Sequence, residues 1–192
     1  MKYTNASIHD IPSIVKLQEK YHVSTIKKED KADGFVTTLF TKDQFEELIL
    51  SENGLSIAVD GDSIVAYAMA ASWHYWSAWP IFAYMIEDLP NIEFAGQTLS
   101  ITNSYQYGPI CIEKRYRGTK VLPNIFEFSR RTMMDKYPIM ATFINIQNPR
   151  SYVAHTDKLG LRVIKTFEFN NNEYYFLAYD MSKRTRGSTL DW

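Results

Sequence analysis

Cysteine is nearly absent from this 192-residue chain, which carries only Cys111. A single thiol excludes an intrachain disulfide and any cysteine-rich metal site, and it fits a reducing compartment. Histidine is scarce as well: four residues with no close pair give no metal-ligand spacing, so no metal site is expected. Neither sign of charge is in excess. A net charge of −1 supplies no global field that would draw the chain to nucleic acid or anionic lipid. The opening stretch MKYTNASIHD has no apolar run of the kind that begins a secretory signal, so a cytoplasmic protein is expected. Repeats, low-complexity tracts and internal linkers are also missing. One domain over residues 1–182 is expected, with a polar, loose C-terminal tail over 183–192.

Aromatic residues, at 15%, are abundant, and many fall in SIVAYAMAASWHYWSAWPIFAYMI, Ser63–Ile86. This stretch carries no Asp, Glu, Lys or Arg and is long enough to cross a bilayer. It also contains His74, Pro80 and three serines and follows a DGD turn, which suits a buried strand that runs into an aromatic wall. No membrane association is therefore expected; a membrane-associated protein is a third reading that rests on this stretch alone. Trp73, Tyr75, Trp76 and Tyr84 are candidate substrate contacts if the wall lines a pocket; plain core and a protein interface are the alternatives. His74 reads as a core histidine.

Capping signals place the helices. Ser7 with Asp10, followed by Pro12, opens one, and Thr41 with Gln44 opens another. The charged stretch KKEDKADG between them reads as a surface loop. Asp60-Gly61 joins two strands as a hairpin. LSITNSYQYGPICI, Leu99–Ile112, reads as one long strand that bulges or splays at Gly108-Pro109. A helix from Leu122, the strand MATFINI, the helix PRSYVAHTDKLG and a hairpin turning at Asn170–Asn172 complete the order. This is an α/β arrangement of the α+β type, with a mixed, mainly antiparallel sheet of about seven strands flanked by about four helices.

RYRGTKVLPNIFEFSRR, Arg115–Arg131, sets a basic glycine turn at the carboxyl end of the long strand, where a helix begins. Unpaired N–H groups and the positive end of the helix dipole favour an anion there. Arg117, Gly118, Thr119 and Lys120 form the candidate turn.

These residues resemble the GNAT superfamily of acetyl-CoA-dependent N-acetyltransferases. ICIEKRYRGTKVLPNIF is similar to its strand, pyrophosphate loop and helix, with Ile112, Tyr116, Arg117 and Gly118 on matching positions. Lys120 and Leu122 stand where the family prefers small residues. INIQNPRSYVAHTDKLGLRVI resembles a second family pattern through Asn148, Ser151 and His155, with the closing Gly160 one residue late. The resemblance implies a single GNAT-like domain whose strands splay at the coenzyme site. It implies acetyl-CoA as cofactor, with coenzyme A as product, and direct transfer to a primary amine of a small molecule or peptide. Backbone groups of Cys111 and Ile112 would grip the coenzyme arm, and Asn148 and Ser151 would contact it. His155 or Tyr152 would protonate the departing thiolate. Tyr105 and Tyr107 could order a water that takes the amine proton, aromatic core being the alternative. Glu113 reads as solvated or structural, and Glu87 and Asp88 are runner-up bases or cation-binding groups. The altered loop and the missing strand carboxylate favour a second reading, a catalytically weak or inactive acyl-CoA-binding or interaction module. A homodimer is left open.

Overall fold

The computed structural model describes residues 1–27, 29 and 35–191. Most of the expected KKEDKADG surface loop, and Trp192, lie outside the described residues. The elements run β1 (Lys2–Asn5), α1 (Ile11–Lys20), α2 (Lys42–Glu47), β2 (Leu55–Asp60), β3 (Ser63–Ala71), α3 (Trp73–Trp76), α4 (Pro80–Asp88) and the short pair β4 (Glu93–Phe94) and β5 (Gln97–Thr98). Then follow β6 (Ser104–Ile112), α5 (Val121–Met133), β7 (Ile139–Asn145), α6 (Pro149–Val153), β8 (Arg162–Phe169) and β9 (Asn172–Asp180). Seven strands form one sheet in the order β1-β2-β3-β6-β7-β9-β8. Only β6 and β7 pair in parallel; every other neighbouring pair is antiparallel.

The local signals act as their chemistry requires. Asp10 accepts the Ser7 N–H at 2.8 Å, and Thr41 and Gln44 exchange bonds of 3.2 and 2.9 Å. Asn170 and Asn171 both adopt positive φ, which a two-residue hairpin turn needs. The long strand starts later than its hydrophobic pattern suggests, at Ser104. Asn103 accepts from the Ser100 N–H at 2.8 Å and donates to the Thr98 carbonyl, so local side-chain bonds hold these residues in a turn.

Each face of the sheet carries its own core. On one face α1, α2, α3 and α4 supply Ile14, Leu17, Phe45, Trp73, Trp76 and Phe82. On the other α5 supplies Val121, Ile125, Phe126 and Met133. Among the described residues no helix is long and apolar enough to cross a membrane. The expected aromatic wall divides into strand β3 and helices α3 and α4, which raises the helix count above four. Trp73 donates to Ser104 Oγ at 2.9 Å and Trp76 to the Gln106 carbonyl at 3.3 Å, so both indoles are buried with their N–H groups satisfied.

Residues 185–191 of the expected tail are tied to α5. Their physical anchor is Glu127, fully buried on α5, which accepts from Arg130 Nε at 2.8 Å, from Arg131 Nε at 3.0 Å and from the N–H and hydroxyl of Thr185 at 3.0 and 2.6 Å. Burial alone would raise the Glu127 carboxyl, but these donors carry it down to about 2. Its charge-dependent contribution is therefore full above the ordinary value of 4.5 and is lost as pH falls from there towards about 2. Glu127→Ala leaves Arg130 buried without this carboxylate and should cost about 3–5 kcal/mol in urea unfolding at neutral pH. An unchanged unfolding midpoint would contradict the account.

Candidate active site

β6 and β7 pair only at Ser104↔Ile139, Tyr105↔Met140 and Gln106↔Ala141, although both strands continue. The cause is local. Pro109 has no N–H to offer a ladder. Gly108, at φ +98°, takes a backbone conformation that side chains disfavour. The Tyr107 carbonyl takes the Thr142 hydroxyl at 2.7 Å and the Gln106 side-chain amide at 2.6 Å. Beyond this point the strands are unpaired.

Residues of an antiparallel strand alternate between bonding the partner and facing away from it. Glu113 N–H donates to the Val65 carbonyl at 2.8 Å, and Cys111 lies opposite Tyr67 in the same register. Cys111 is in phase with Glu113 and directs its N–H at β3. Ile110 and Ile112 direct theirs into the gap beside β7. Of the expected pair, Ile112 therefore faces the gap, joined there by Ile110, while the Cys111 N–H turns to β3. Arg117 Nε donates to the Ile112 carbonyl at 2.8 Å from the gap side.

A cavity of about 480 Å³ follows this gap. Its walls are Ile110, Cys111 and Ile112 of β6, Arg117, Gly118 and Leu122 around the start of α5, and residues from Asn148 to Lys158 around α6. Tyr21 and Val36 close it from the α1 side. Asn148 caps α6, its side-chain oxygen accepting the Ser151 N–H at 3.1 Å. Beyond Val153 the helix widens into a π turn over Ala154–Leu159 and ends at Gly160, φ +87°. A π turn absorbs one additional residue, which accounts for the late glycine. It also separates the two acid candidates. His155 is buried and lines the cavity, whereas Tyr152 lies outside the lining and packs on Tyr175 with ring centres 4.8 Å apart.

His155 Nδ1 lies 2.7 Å from the Ser151 carbonyl. A carbonyl can only accept, so Nδ1 carries the proton and the lone pair is on Nε2. Burial lowers the imidazole pKa below its ordinary 6.5, partly offset by this bond. The ring is neutral at pH 7, an acceptor before it can be a donor. Cys111 faces the same cavity, but burial pushes its thiol up to about 12, so it is no nucleophile at neutral pH. Glu113 is held by Lys20 at 2.7 Å and by the Tyr21 phenol.

Other candidates sit elsewhere. Tyr105 and Tyr107 are buried on the α5 face, where Tyr107 packs on Phe126 with centres 5.0 Å apart; neither lines the cavity. The Thr119 hydroxyl donates to the Tyr116 carbonyl at 2.6 Å, and Lys120 reaches the Gly187 carbonyl at 3.2 Å. Trp73 and Trp76 are core, the Tyr75 phenol donates to the Gln44 carbonyl at 3.0 Å, and Tyr84 lies over Phe167 on the exposed side of α4. Asp88 pairs with Lys165 at 2.7 Å, and Glu87 is exposed. The sequence reading missed Tyr21, Gln106 and Thr142. A glutamine two residues before Gly-Pro in an otherwise apolar strand was the available signal for the second.

No family model matches the sequence, and no curated protein matches it. Solved structures do resemble the fold. A ribosomal-protein-alanine N-acetyltransferase from Brucella melitensis is 13% identical with a TM-score of 0.60, over 94% of this chain and 99% of that one. A Salmonella typhimurium protein solved with its cofactor acetyl-CoA is 10% identical with a TM-score of 0.62, over 98% of each chain. An acetyltransferase of the GNAT family from Streptococcus pneumoniae is 10% identical with a TM-score of 0.61, over 93% and 98%. In overall fold this chain is similar to these structures, the GNAT-family acetyltransferase among them.

Proposed function

We propose that the chain is an N-acetyltransferase that moves an acetyl group from acetyl-CoA to a primary amine of a small molecule or peptide. The observation that carries the reading is the gap between β6 and β7, where N–H groups of Ile110 and Ile112 face an apolar cavity with a basic mouth. Strand edges of this kind suit the amide-bearing arm of coenzyme A, and Arg117 beside Gly118 suits its pyrophosphate.

Acetyl-CoA, when bound, would supply the thioester, an acyl donor activated towards an amine. The gap-facing N–H groups stabilise the charge that develops on its oxygen. As the C–N bond forms and the C–S bond breaks, one proton must leave nitrogen and one must reach sulfur. His155, neutral at the outset, takes the first at Nε2 and returns it to the thiolate. A catalytically weak acyl-CoA-binding module is the second reading, favoured by the engagement of Glu113 with Lys20 and Tyr21. Coenzyme binding without turnover on any amine would support it.

Arg117→Glu should weaken coenzyme A binding by about 1–2 kcal/mol in calorimetry, the scale of a charged hydrogen bond. Unchanged affinity would remove the phosphate role. His155→Ala should lower kcat by about 10²-fold at near-normal acetyl-CoA affinity. Burial holds the His155 imidazole below its ordinary 6.5, so its protonation should add an acid-side loss of kcat at saturating amine, centred below 6.5 and missing from His155→Ala. A midpoint at or above 6.5, or full turnover in the variant, would contradict the assignment.

A further inference from the structure

The last described residues do more than cover α5. Beyond β9 the chain is anchored at Thr185, whose N–H and hydroxyl both donate to buried Glu127. Arg186 then donates to the Asp157 carbonyl at 3.4 Å, at the π turn that follows α6. Gly187 accepts from Lys120 Nζ at 3.2 Å. It lies beside both elements: a Cβ placed on it would be in ordinary contact with Pro123 Cβ at 3.9 Å and the Lys158 carbonyl at 4.0 Å. Ser188 and Thr189 close the loop on Asn124, donating to its side-chain oxygen at 3.1 and 2.8 Å. Arg131 finally holds the carbonyls of Leu190 and Asp191 at 2.9 and 2.8 Å.

This path joins two elements that otherwise belong to separate walls. Lys120, Pro123 and Asn124 form the first turn of α5, next to Gly118 and Leu122 of the cavity lining. Asp157 and Lys158 belong to the π turn that carries His155. Gly187, at φ +75°, allows the chain to turn back between them. Its root at Thr185 is buried, and its tip at Arg186 and Gly187 is solvent-exposed.

We propose that residues 184–191 are a strap that sets the spacing of the cavity mouth and so governs affinity for the phosphate-bearing end of coenzyme A. The proposal rests on the coenzyme reading above. Thr185 and Gly187 are positioning residues: they act through Lys120 and the first turn of α5 on one side and through Lys158 on the other. The pantetheine end lies deeper, against Ile110, Ile112 and His155, where the strap makes no contact. Loss of the strap should therefore weaken the phosphate end and spare the thiol end.

The test compares the full chain, a chain ending at Lys183, and Asn124→Ala, which releases Ser188 and Thr189 while leaving Glu127 with Arg130. Calorimetry with coenzyme A and NMR titration with pantetheine, which has no phosphate, read the two ends separately. The shortened chain should bind coenzyme A about tenfold or more weakly, as expected when several hydrogen bonds that pre-organise a site are lost. Asn124→Ala should move in the same direction by less. Pantetheine affinity should stay within about twofold in all three, because its contacts are untouched. Equal coenzyme A affinity across the set overturns the strap, and so does a parallel loss of pantetheine, which marks a merely structural role. If the shortened chain fails to fold, Asn124→Ala decides alone by the same criteria. Absence of coenzyme A binding by the full chain would instead remove the coenzyme reading itself, which distinguishes the two failures.

Discussion

An unpaired strand edge inside a sheet is the constraint from which the rest of this molecule follows. Backbone N–H and C=O groups withheld from water must find partners. β6 satisfies one side through β3 and then, beyond Gln106, faces β7 without a ladder. Gly108, Pro109 and the Thr142 hydroxyl produce that break with ordinary chemistry: a residue tolerant of positive φ, a residue without a donor, and a side chain that caps the last carbonyl. Two cores, one on each face, hold the strands on either side of it. The sheet remains whole while a seam of amides stays accessible.

The placement of charge follows from the seam. Arg117 reaches back to the Ile112 carbonyl and lies over the Tyr21 ring at 4.5 Å, so the glycine turn is tied to β6 and α1 together. Tyr21 in turn engages Glu113, which keeps that carboxylate beside Lys20 and outside the cavity lining. Among the described residues the cavity lining holds one histidine, His155, and one thiol, Cys111, too weakly acidic to act as a nucleophile. The division of labour is set by burial and by a single carbonyl, that of Ser151, rather than by residue type.

Much of this was legible in the sequence, because its signals are short-range. Capping pairs, the Asp60-Gly61 and Asn170–Asn172 turns, and the Gly108-Pro109 break each act through neighbouring atoms, so residue type alone predicts their outcome. The basic turn before α5 was legible for the same reason. What was not legible depends on phase or on distant partners. Which of Ile110, Cys111 and Ile112 turns its N–H into the gap depends on register with β3. Whether His155 or Tyr152 enters the cavity depends on a π turn that no spacing rule encodes. Trp73 and Trp76 looked like pocket lining because large aromatics suit both pockets and cores; their indole partners, Ser104 and Gln106, lie some thirty positions away. The tail looked loose because its composition is polar, and its anchor is a carboxylate buried on α5.

Amide hydrogen exchange at Ile110, Cys111 and Ile112, with and without saturating coenzyme A, tests the central claim most directly. In the free protein Cys111, bonded to β3, should exchange slowly while Ile110 and Ile112 exchange fast, and coenzyme A should slow those two alone. Equal protection of all three in the free protein, or no change at Ile110 and Ile112 on adding coenzyme A, would contradict an open strand edge that receives the coenzyme.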